Sequence, residues 1–188
     1  MERLIAVTGG IGAGKSVVCR ILGAMGYEVY DCDSRARALM DASPSIKNVI
    51  AGEICPEAVD GDRIDRRRLS EAVFSDRELL EKLNSAVHGA VRHDIEQWRL
   101  NRRTAFVETA ILYQSGLDRM VDEVWEVVAP EDLRIRRVMA RSGLTPDEVR
   151  CRIESQRIDV TQPHACLRTV VNDDVLPLLP QIESLLDV

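Results

Sequence analysis

The 188-residue chain lacks an excess of positive charge and has no long apolar run. Its formal net charge of −6 argues against a general nucleic-acid or membrane-surface binder, because such proteins need a positive field. No apolar stretch approaches the roughly 20 residues of a membrane-spanning helix. The N-terminus enters an apolar strand pattern at once, without signal-peptide regions. We therefore expect a cytoplasmic protein with no nucleic-acid or membrane partner, as a monomer or weak homo-oligomer.

Paired cysteines are also lacking. The five cysteines are scattered along the chain and none forms a C-x-x-C pair. This distribution predicts neither a disulfide framework nor a zinc site, and it is typical of thiols in a reducing compartment. Internal repeats and long linkers are absent too, and 45% of the residues are apolar. The composition favours one globular domain with inserts.

The most informative segment is residues 8–16, TGGIGAGKS, which matches the pattern G-x-x-x-x-G-K-[ST]. It follows an apolar run at 4–7 and precedes a helical pattern at 17–25. Glycines let a chain approach an anion closely, and a helix N-terminus adds positive potential. The pattern predicts a phosphate-binding loop in which Lys15 reaches the outer phosphates of ATP and Ser16 ligates Mg²⁺. The residues expected to bind the nucleotide here are Gly10, Gly12, Ala13, Gly14, Lys15, Ser16 and Val17.

Short apolar runs alternate with helical patterns along the chain. Strands are predicted at 27–30, 104–108, 124–129 and 167–171, after the first at 4–7. Helices are predicted at 17–25, at 34–40, from Ser43 to Gly52, at 66–74, from a capping box at 75–78 through Trp98, at 131–142, from Thr145 to about Asp159 and at 175–186. The region 34–101 has no convincing strand. This alternation predicts an α/β fold with a parallel sheet and helices on both faces, and ligands at the carboxyl ends of the strands.

Three carboxylates fall at predicted strand ends. Asp33 is placed to accept the proton of an attacking hydroxyl, and Asp31 is an alternative base or a substrate contact. Glu108 is a candidate to hold Mg²⁺ through water. The competing interpretation is that loop aspartates cap helices, with Asp33 capping the helix that starts at Ser34.

A basic helical face is predicted between residues 131 and 142. Arg134, Arg137 and Arg141 lie on it at helical spacing, followed by a second capped helix. Such a helical hairpin is able to close over ATP and bring a guanidinium to the transferring phosphoryl group. The alternative is a solvated charged face. From the residues alone, His88 is read as a structural histidine and Arg66 as part of a solvated helix start.

These segments together resemble the dephospho-CoA kinase family over nearly the whole chain. The matching stretches, in the family's order, are 8–16 (TGGIGAGKS), 31–37 (DCDSRAR), 65–69 (DRRRL) with Val73-Phe74, His88, 108–114 (ETAILYQ), 137–143 (RVMARSG), Gln156 and Asn172. A phosphate loop alone occurs in many nucleotide-binding proteins. The combination with D-x-D and the Arg-Gly-Gln-Asn tail is much more specific.

The resemblance implies a P-loop kinase that uses ATP and Mg²⁺ to phosphorylate the ribose 3′-hydroxyl of dephospho-CoA, the final step of coenzyme A biosynthesis. It divides the chain into a nucleotide-binding core (1–33, 102–130 and 161–188), a helical substrate domain (34–101) and a lid (131–160). It implies catalytic roles for Asp33, Lys15 and Arg141. The other implied contacts are Arg137 and Asn172 with ATP, and Asp33, Arg66, His88 and Glu108 with the substrate.

Several positions depart from the family pattern. Val17 replaces a common Thr, Gly89 a Pro, Ala110 and Gln114 a Pro and a Glu, and Leu167 an Asp. These departures concern the substrate side more than the kinase chemistry.

Three alternatives remain open. One is a P-loop kinase for another small molecule, such as a nucleoside or nucleotide. A GTPase-like switch is opposed by the lack of D-x-x-G and N-K-x-D motifs, and an inactive homologue is opposed by the intact Lys15, Ser16 and Asp33.

Overall fold

The computed structural model describes residues 3–156 and 162–186, and the chain divides into two compact units. The first unit consists of Met1–Tyr30 and Arg102–Val188, and the second of Asp31–Asn101. Within the described ranges, none of the helices has the length and apolar character needed to cross a membrane. The strands are β1 (Arg3–Thr8), β2 (Val29–Asp31), β3 (Val59–Asp60), β4 (Arg63–Ile64), β5 (Thr104–Glu108), β6 (Glu123–Val128) and β7 (Leu167–Val171). The helices are α1 (Lys15–Ala24), α2 (Cys32–Ala42), α3 (Pro44–Val49), α4 (Arg66–Ser75), α5 (Arg77–Trp98), α6 (Glu131–Ser142), α7 (Pro146–Ser155) and α8 (Leu178–Leu186).

A five-stranded sheet in the order β2-β5-β1-β6-β7 forms the centre of the first unit. β1 runs parallel to both β5 and β6, and β6 runs parallel to β7. This confirms the predicted parallel sheet. Because parallel strands end at the same edge, the segments that follow β1, β5, β6 and β7 all begin at one edge of this sheet.

The core of the first unit explains why β1 reads as a continuous apolar run. Residues 4–7 are fully buried, so side chains from both faces of the strand are removed from water. On one face α1 and α8 pack against the sheet, contributing Leu22 and Ile182 to a cluster around Phe106 and Trp125. The two rings meet edge to face at 5.2 Å between centroids, a favoured aromatic arrangement.

The caps of α6 and α7 follow the sequence signals. Gly143 takes a positive φ of 68° and ends α6. Thr145 and Glu148 form a complete capping box, with Pro146 in the first turn of α7. The predicted end of this helix near Asp159 lies outside the described residues.

The second unit consists mainly of helices. Asp65 and Asp76 cap α4 and α5 by accepting backbone N–H bonds at their first turns. α5 buries Leu83, Val87, Val91 and Ile95 on one face, as its periodicity predicted. α2 packs against α5.

Some sequence-based boundaries were wrong. Residues 59–64 form a hairpin, β3–β4, where no strand was expected; its strands are too short to show a period of two, and Gly61 supports the turn with φ of 57°. Gly52 does not end a helix, because a π-helical turn continues over Ile50–Ile54. The capping residue of α5 is Asp76 and not Ser75.

Two further corrections concern helix starts. Asp31 caps α2, so Asp33 lies inside the first turn and is not the cap. α8 begins at Leu178 and not at Val175, because the Asp173 carboxylate binds the N–H groups of Val175 and Leu176 in a turn before Pro177.

Candidate active site

The loop between β1 and α1 has the backbone shape that its glycines predict. Gly9, Gly12 and Gly14 have φ values of 142°, 79° and 101°. A Cβ on Gly14 would collide with the Asn172 side chain, and one on Gly12 would lie 2.6 Å from the Arg134 carbonyl oxygen. The loop therefore requires glycine both for its conformation and for the closeness of its neighbours.

Lys15 and the loop backbone close this segment on itself. The Lys15 ammonium donates to the Gly9 carbonyl at 2.9 Å, which directs the side chain back across the loop. The Ala13 N–H donates to the Gly10 carbonyl at 3.1 Å, and the Val17 N–H to the Gly14 carbonyl at 2.9 Å. Ser16 is exposed in the first turn of α1. The result is a helix N-terminus with a hydroxyl and an ammonium beside it, which suits an anion.

Arg137 and Asn172 fix the end of the loop that leads into α1. The Arg137 guanidinium donates to the Gly12 and Ala13 carbonyls, and to both the main-chain and side-chain oxygens of Asn172. The Asn172 amide donates to the Ala13 carbonyl at 2.8 Å. An exposed carboxylate, Asp174, pairs with Arg137 at 2.5 Å. Both predicted nucleotide contacts therefore lie directly on the phosphate loop.

Arg134 and Gln156 bind the loop at Ile11, a role that the sequence reasoning did not assign. The Arg134 Nε donates to the Ile11 carbonyl at 2.9 Å, and the Gln156 side-chain oxygen accepts the Ile11 N–H at 2.7 Å. In the sequence, Gln156 stands out only as part of the family-like tail. Its distance of 145 positions from Ile11 leaves no local pattern that predicts the contact.

A cleft of about 270 Å³ opens beside the loop at the carboxyl edge of the sheet. Thr8 and Gly10 line it together with Tyr113 and two carboxylates, Glu126 and Glu131. Glu126 was missed because it stands inside the apolar strand β6, where it is in register with Thr8, and not after the strand.

Glu108 and Arg141 each lie at the end of a secondary-structure element, β5 and α6. Glu108 ends β5 in register with Val7, so this half-buried carboxylate lies beside the start of the phosphate loop. Arg141 stands in the last turn of α6 and is exposed, and it has no hydrogen bond or ion pair to a described residue.

Three predicted site residues belong to the second unit. Asp33 is exposed in the first turn of α2. Arg66, the first residue of α4, donates to both carboxylate oxygens of Asp41 at 2.8 and 2.7 Å. His88 is half-buried on α5, and its pKa is lowered by burial and by the nearby positive charge of Arg92. Both effects favour the neutral imidazole over the charged form.

Asp31 differs from Asp33 in its surroundings. Partial burial acts to raise the pKa of Asp31, but hydrogen bonds from the Ser34 hydroxyl and N–H outweigh it, and the pKa is lowered. The hydroxyl bond measures 2.6 Å. These contacts assign Asp31 to helix capping.

Comparison with known proteins agrees with the motifs. The family model of dephospho-CoA kinase matches residues 3–176. The dephospho-CoA kinase of Porphyromonas gingivalis is 39% identical over 186 residues, covering 97% of this chain and 92% of that protein. The dephospho-CoA kinase of Thermus thermophilus is 41% identical over 156 residues, covering 81% and 74%.

Solved structures give the same picture. A crystal structure of a Thermus thermophilus protein superposes with a TM-score of 0.74 at 36% identity, covering 99% of this chain and 95% of that chain. The fold alone is shared with a shikimate kinase from Acinetobacter baumannii, with a TM-score of 0.53 at 11% identity, covering 100% of this chain and 92% of that chain. The chain is a P-loop kinase and belongs to the dephospho-CoA kinase family.

Proposed function

We propose that this enzyme transfers the γ-phosphoryl group of ATP to the ribose 3′-hydroxyl of dephospho-CoA, giving coenzyme A and ADP as the last step of coenzyme A synthesis. The observation that carries the proposal is the closed phosphate loop, held by Arg137 and Asn172 in a chain whose relatives are named for this reaction. Membership in the family supports dephospho-CoA as the acceptor, and the loop supports ATP as the phosphoryl donor.

ATP binding rests on the first unit. The N-terminus of α1 and the backbone around Gly12 and Gly14 favour the phosphates, and Lys15 neutralises the charge on the outer ones. Gly10, Ala13 and Val17 shape the same loop through their backbone groups. Arg137 and Asn172 both bind the Ala13 carbonyl of this loop, and their side chains are proposed to contact the nucleotide as well.

Ser16 is the residue that would hold Mg²⁺. Its exposed hydroxyl in the first turn of α1 fits a cation that keeps most of its other ligands from phosphate and water. Once bound, the ion neutralises negative charge on the phosphate oxygens.

A carboxylate is proposed to activate the hydroxyl group of the acceptor. Asp33 is proposed to take the proton from the 3′-hydroxyl as that oxygen bonds to the γ-phosphorus and the bond to ADP breaks. Its exposure leaves it accessible to a substrate. Arg66, His88 and Glu108 are proposed to contact dephospho-CoA, with residues 34–101 as the substrate domain.

Arg141 is proposed to provide the positive charge of the lid, residues 131–160. The described part of the lid contains α6 and α7. Arg141 has no competing carboxylate among the described residues, so its charge is available to the transferring phosphoryl group. The neighbouring Arg136, paired with Asp132 at 3.0 Å, offers a matched control of the same charge. Arg141→Gln is expected to lower kcat by orders of magnitude and Arg136→Gln is expected not to.

The test is coenzyme A formation from Mg-ATP and dephospho-CoA, with adenosine and other nucleosides as comparison acceptors. ADP release that depends on dephospho-CoA, and that Lys15→Ala abolishes, supports the proposal. Release with another acceptor only would replace the substrate and keep the kinase. Tight nucleotide binding without release to any acceptor would overturn it in favour of a switch or an inactive homologue.

A further inference from the structure

Ile11, at the middle of the phosphate loop, is held through all of its groups by one helical hairpin. Its carbonyl accepts from Arg134 at 2.9 Å, and its N–H donates to Gln156 at 2.7 Å. Its side chain packs against the cluster formed by Ile135, Val138, Val149 and Ile153. Main-chain donor, main-chain acceptor and side chain of a single loop residue thus all contact α6, α7 or the residue that follows α7.

Each helix of the hairpin provides one of the two polar contacts. Arg134 lies in the first turns of α6, and Gln156 directly follows the last residue of α7. The hairpin has its own core, in which Val138 is 1% exposed and Val149 is fully buried. A packed core resists deformation, so the hairpin presents Arg134 and Gln156 at a fixed separation.

We call the two contacts of Arg134 and Gln156 with Ile11 the clamp. Without the clamp, the glycine-rich loop would become ordered only when its ligand binds. Gly10 and Gly12 flank Ile11, and glycine loses more conformational freedom on ordering than any other residue. Holding the loop in shape before the ligand arrives removes that cost from binding. The Ile11 N–H is already bound to Gln156, so the clamp shapes the loop and leaves phosphate contacts to the residues nearer α1.

We propose that Gln156 and Arg134 are positioning residues that preorganise the phosphate loop through Ile11, and that they set the affinity for the triphosphate. The proposal rests on ATP as the ligand of the proposed function. The pair acts on the loop and not on the acceptor. Its loss is therefore expected to weaken ATP binding without altering the binding of dephospho-CoA.

The decisive variants are Gln156→Met, which keeps side-chain length but removes the acceptor, and Arg134→Lys, which keeps the charge but removes the Nε donor. We expect each to raise the Kd for ATP, measured by calorimetry without acceptor, by roughly tenfold, the effect of one ordinary hydrogen bond. KM for ATP rises in parallel while KM for dephospho-CoA stays within about twofold. Amide exchange of residues 9–14 in the nucleotide-free variants becomes faster.

The matched control is Arg150→Gln on α7. Arg150 is exposed and its ion pair is with Asp147 at 2.9 Å, on the same helix, so all three readouts should remain those of the wild type. Wild-type ATP affinity in both Gln156→Met and Arg134→Lys overturns the proposal. A parallel rise in both KM values together with a large fall in Tm also overturns it, because it identifies a general folding role.

This design separates the clamp from the proposed reaction. A wild-type enzyme that binds ATP but forms no coenzyme A removes the proposed function, while the clamp is still judged by the Kd for ATP. A wild-type reaction with unchanged ATP affinity in the variants removes the clamp alone.

Discussion

Arg137 and Asn172 are joined by two hydrogen bonds, from the guanidinium to the main-chain oxygen at 3.1 Å and to the side-chain oxygen at 3.2 Å. The same asparagine donates to the Ala13 carbonyl and is 7% exposed. Arg137 of α6 and Asn172, which follows β7, therefore both donate to the Ala13 carbonyl of the phosphate loop. Buried polar groups of this kind are costly to leave without their partner.

Asn172→Ala should lower the free energy of unfolding by about 1–3 kcal/mol, because the Ala13 carbonyl and Arg137 each lose a buried partner. Urea unfolding of the nucleotide-free protein measures this. Asp174→Asn is the control, because it removes only an exposed ion pair worth at most about 1 kcal/mol and retains a residue that tolerates φ of 64°. Equal losses in the two variants would contradict the assignment.

Gly14→Ala and Gly89→Ala should have opposite effects. At Gly14 a methyl group meets the Asn172 amide at φ of 101°, so we expect a loss of stability and of ATP binding. At Gly89, inside α5, the nearest atom is a flexible Arg92 nitrogen at 3.9 Å, so alanine should add about 0.5–1 kcal/mol of stability. Thermal unfolding of both variants tests the pair; a stabilised Gly14→Ala would show that this close packing is absent.

Asp33→Asn should reduce kcat strongly while the Kd for ATP stays near the wild-type value, since the variant keeps the shape of the base but cannot accept the proton. Asp31→Asn is the matched comparison, because asparagine is as good an N-cap as aspartate. We expect it to retain most of the activity and the stability. The reverse result, with activity lost only in Asp31→Asn, would move the base to Asp31.

The lowered pKa of His88 makes stability depend on pH. Its folded pKa lies below the ordinary value of 6.5, so the unfolded chain binds the proton more readily. This contribution to stability is complete above about pH 6.5 and is lost as the pH falls toward the folded pKa. His88→Gln should flatten the decline in the free energy of unfolding between about pH 7.5 and 5.5. An unaltered slope in His88→Gln would refute the assignment.

Most of the fold was predictable because its signals are local. The glycine-rich turn between β1 and α1, the strand at 167–171, the capping box at Thr145 and the stop at Gly143 depend on neighbouring residues, and the structure confirms them. The β3–β4 hairpin escaped prediction because two-residue strands carry no periodicity. The cap of α5 was misplaced by one residue because Ser75 and Asp76 are both good caps. Ser75 is the last residue of α4, where its hydroxyl donates to the Glu71 and Ala72 carbonyls, so Asp76 caps α5.

In the candidate site, too, the features with a local sequence signal were predictable and those that depend on distant contacts were not. The sequence by itself determined that a phosphate loop lies between β1 and α1 and that the chain resembles one kinase family, because glycine spacing and the Lys-Ser pair have few other uses. Only the tertiary structure decided that Arg134, Arg137, Gln156 and Asn172 converge on that loop, and that Glu126 joins its cleft. These residues come together through the parallel register of the sheet and the packing of α6 on α7, and contacts between residues more than a hundred positions apart leave no periodic trace in a single sequence.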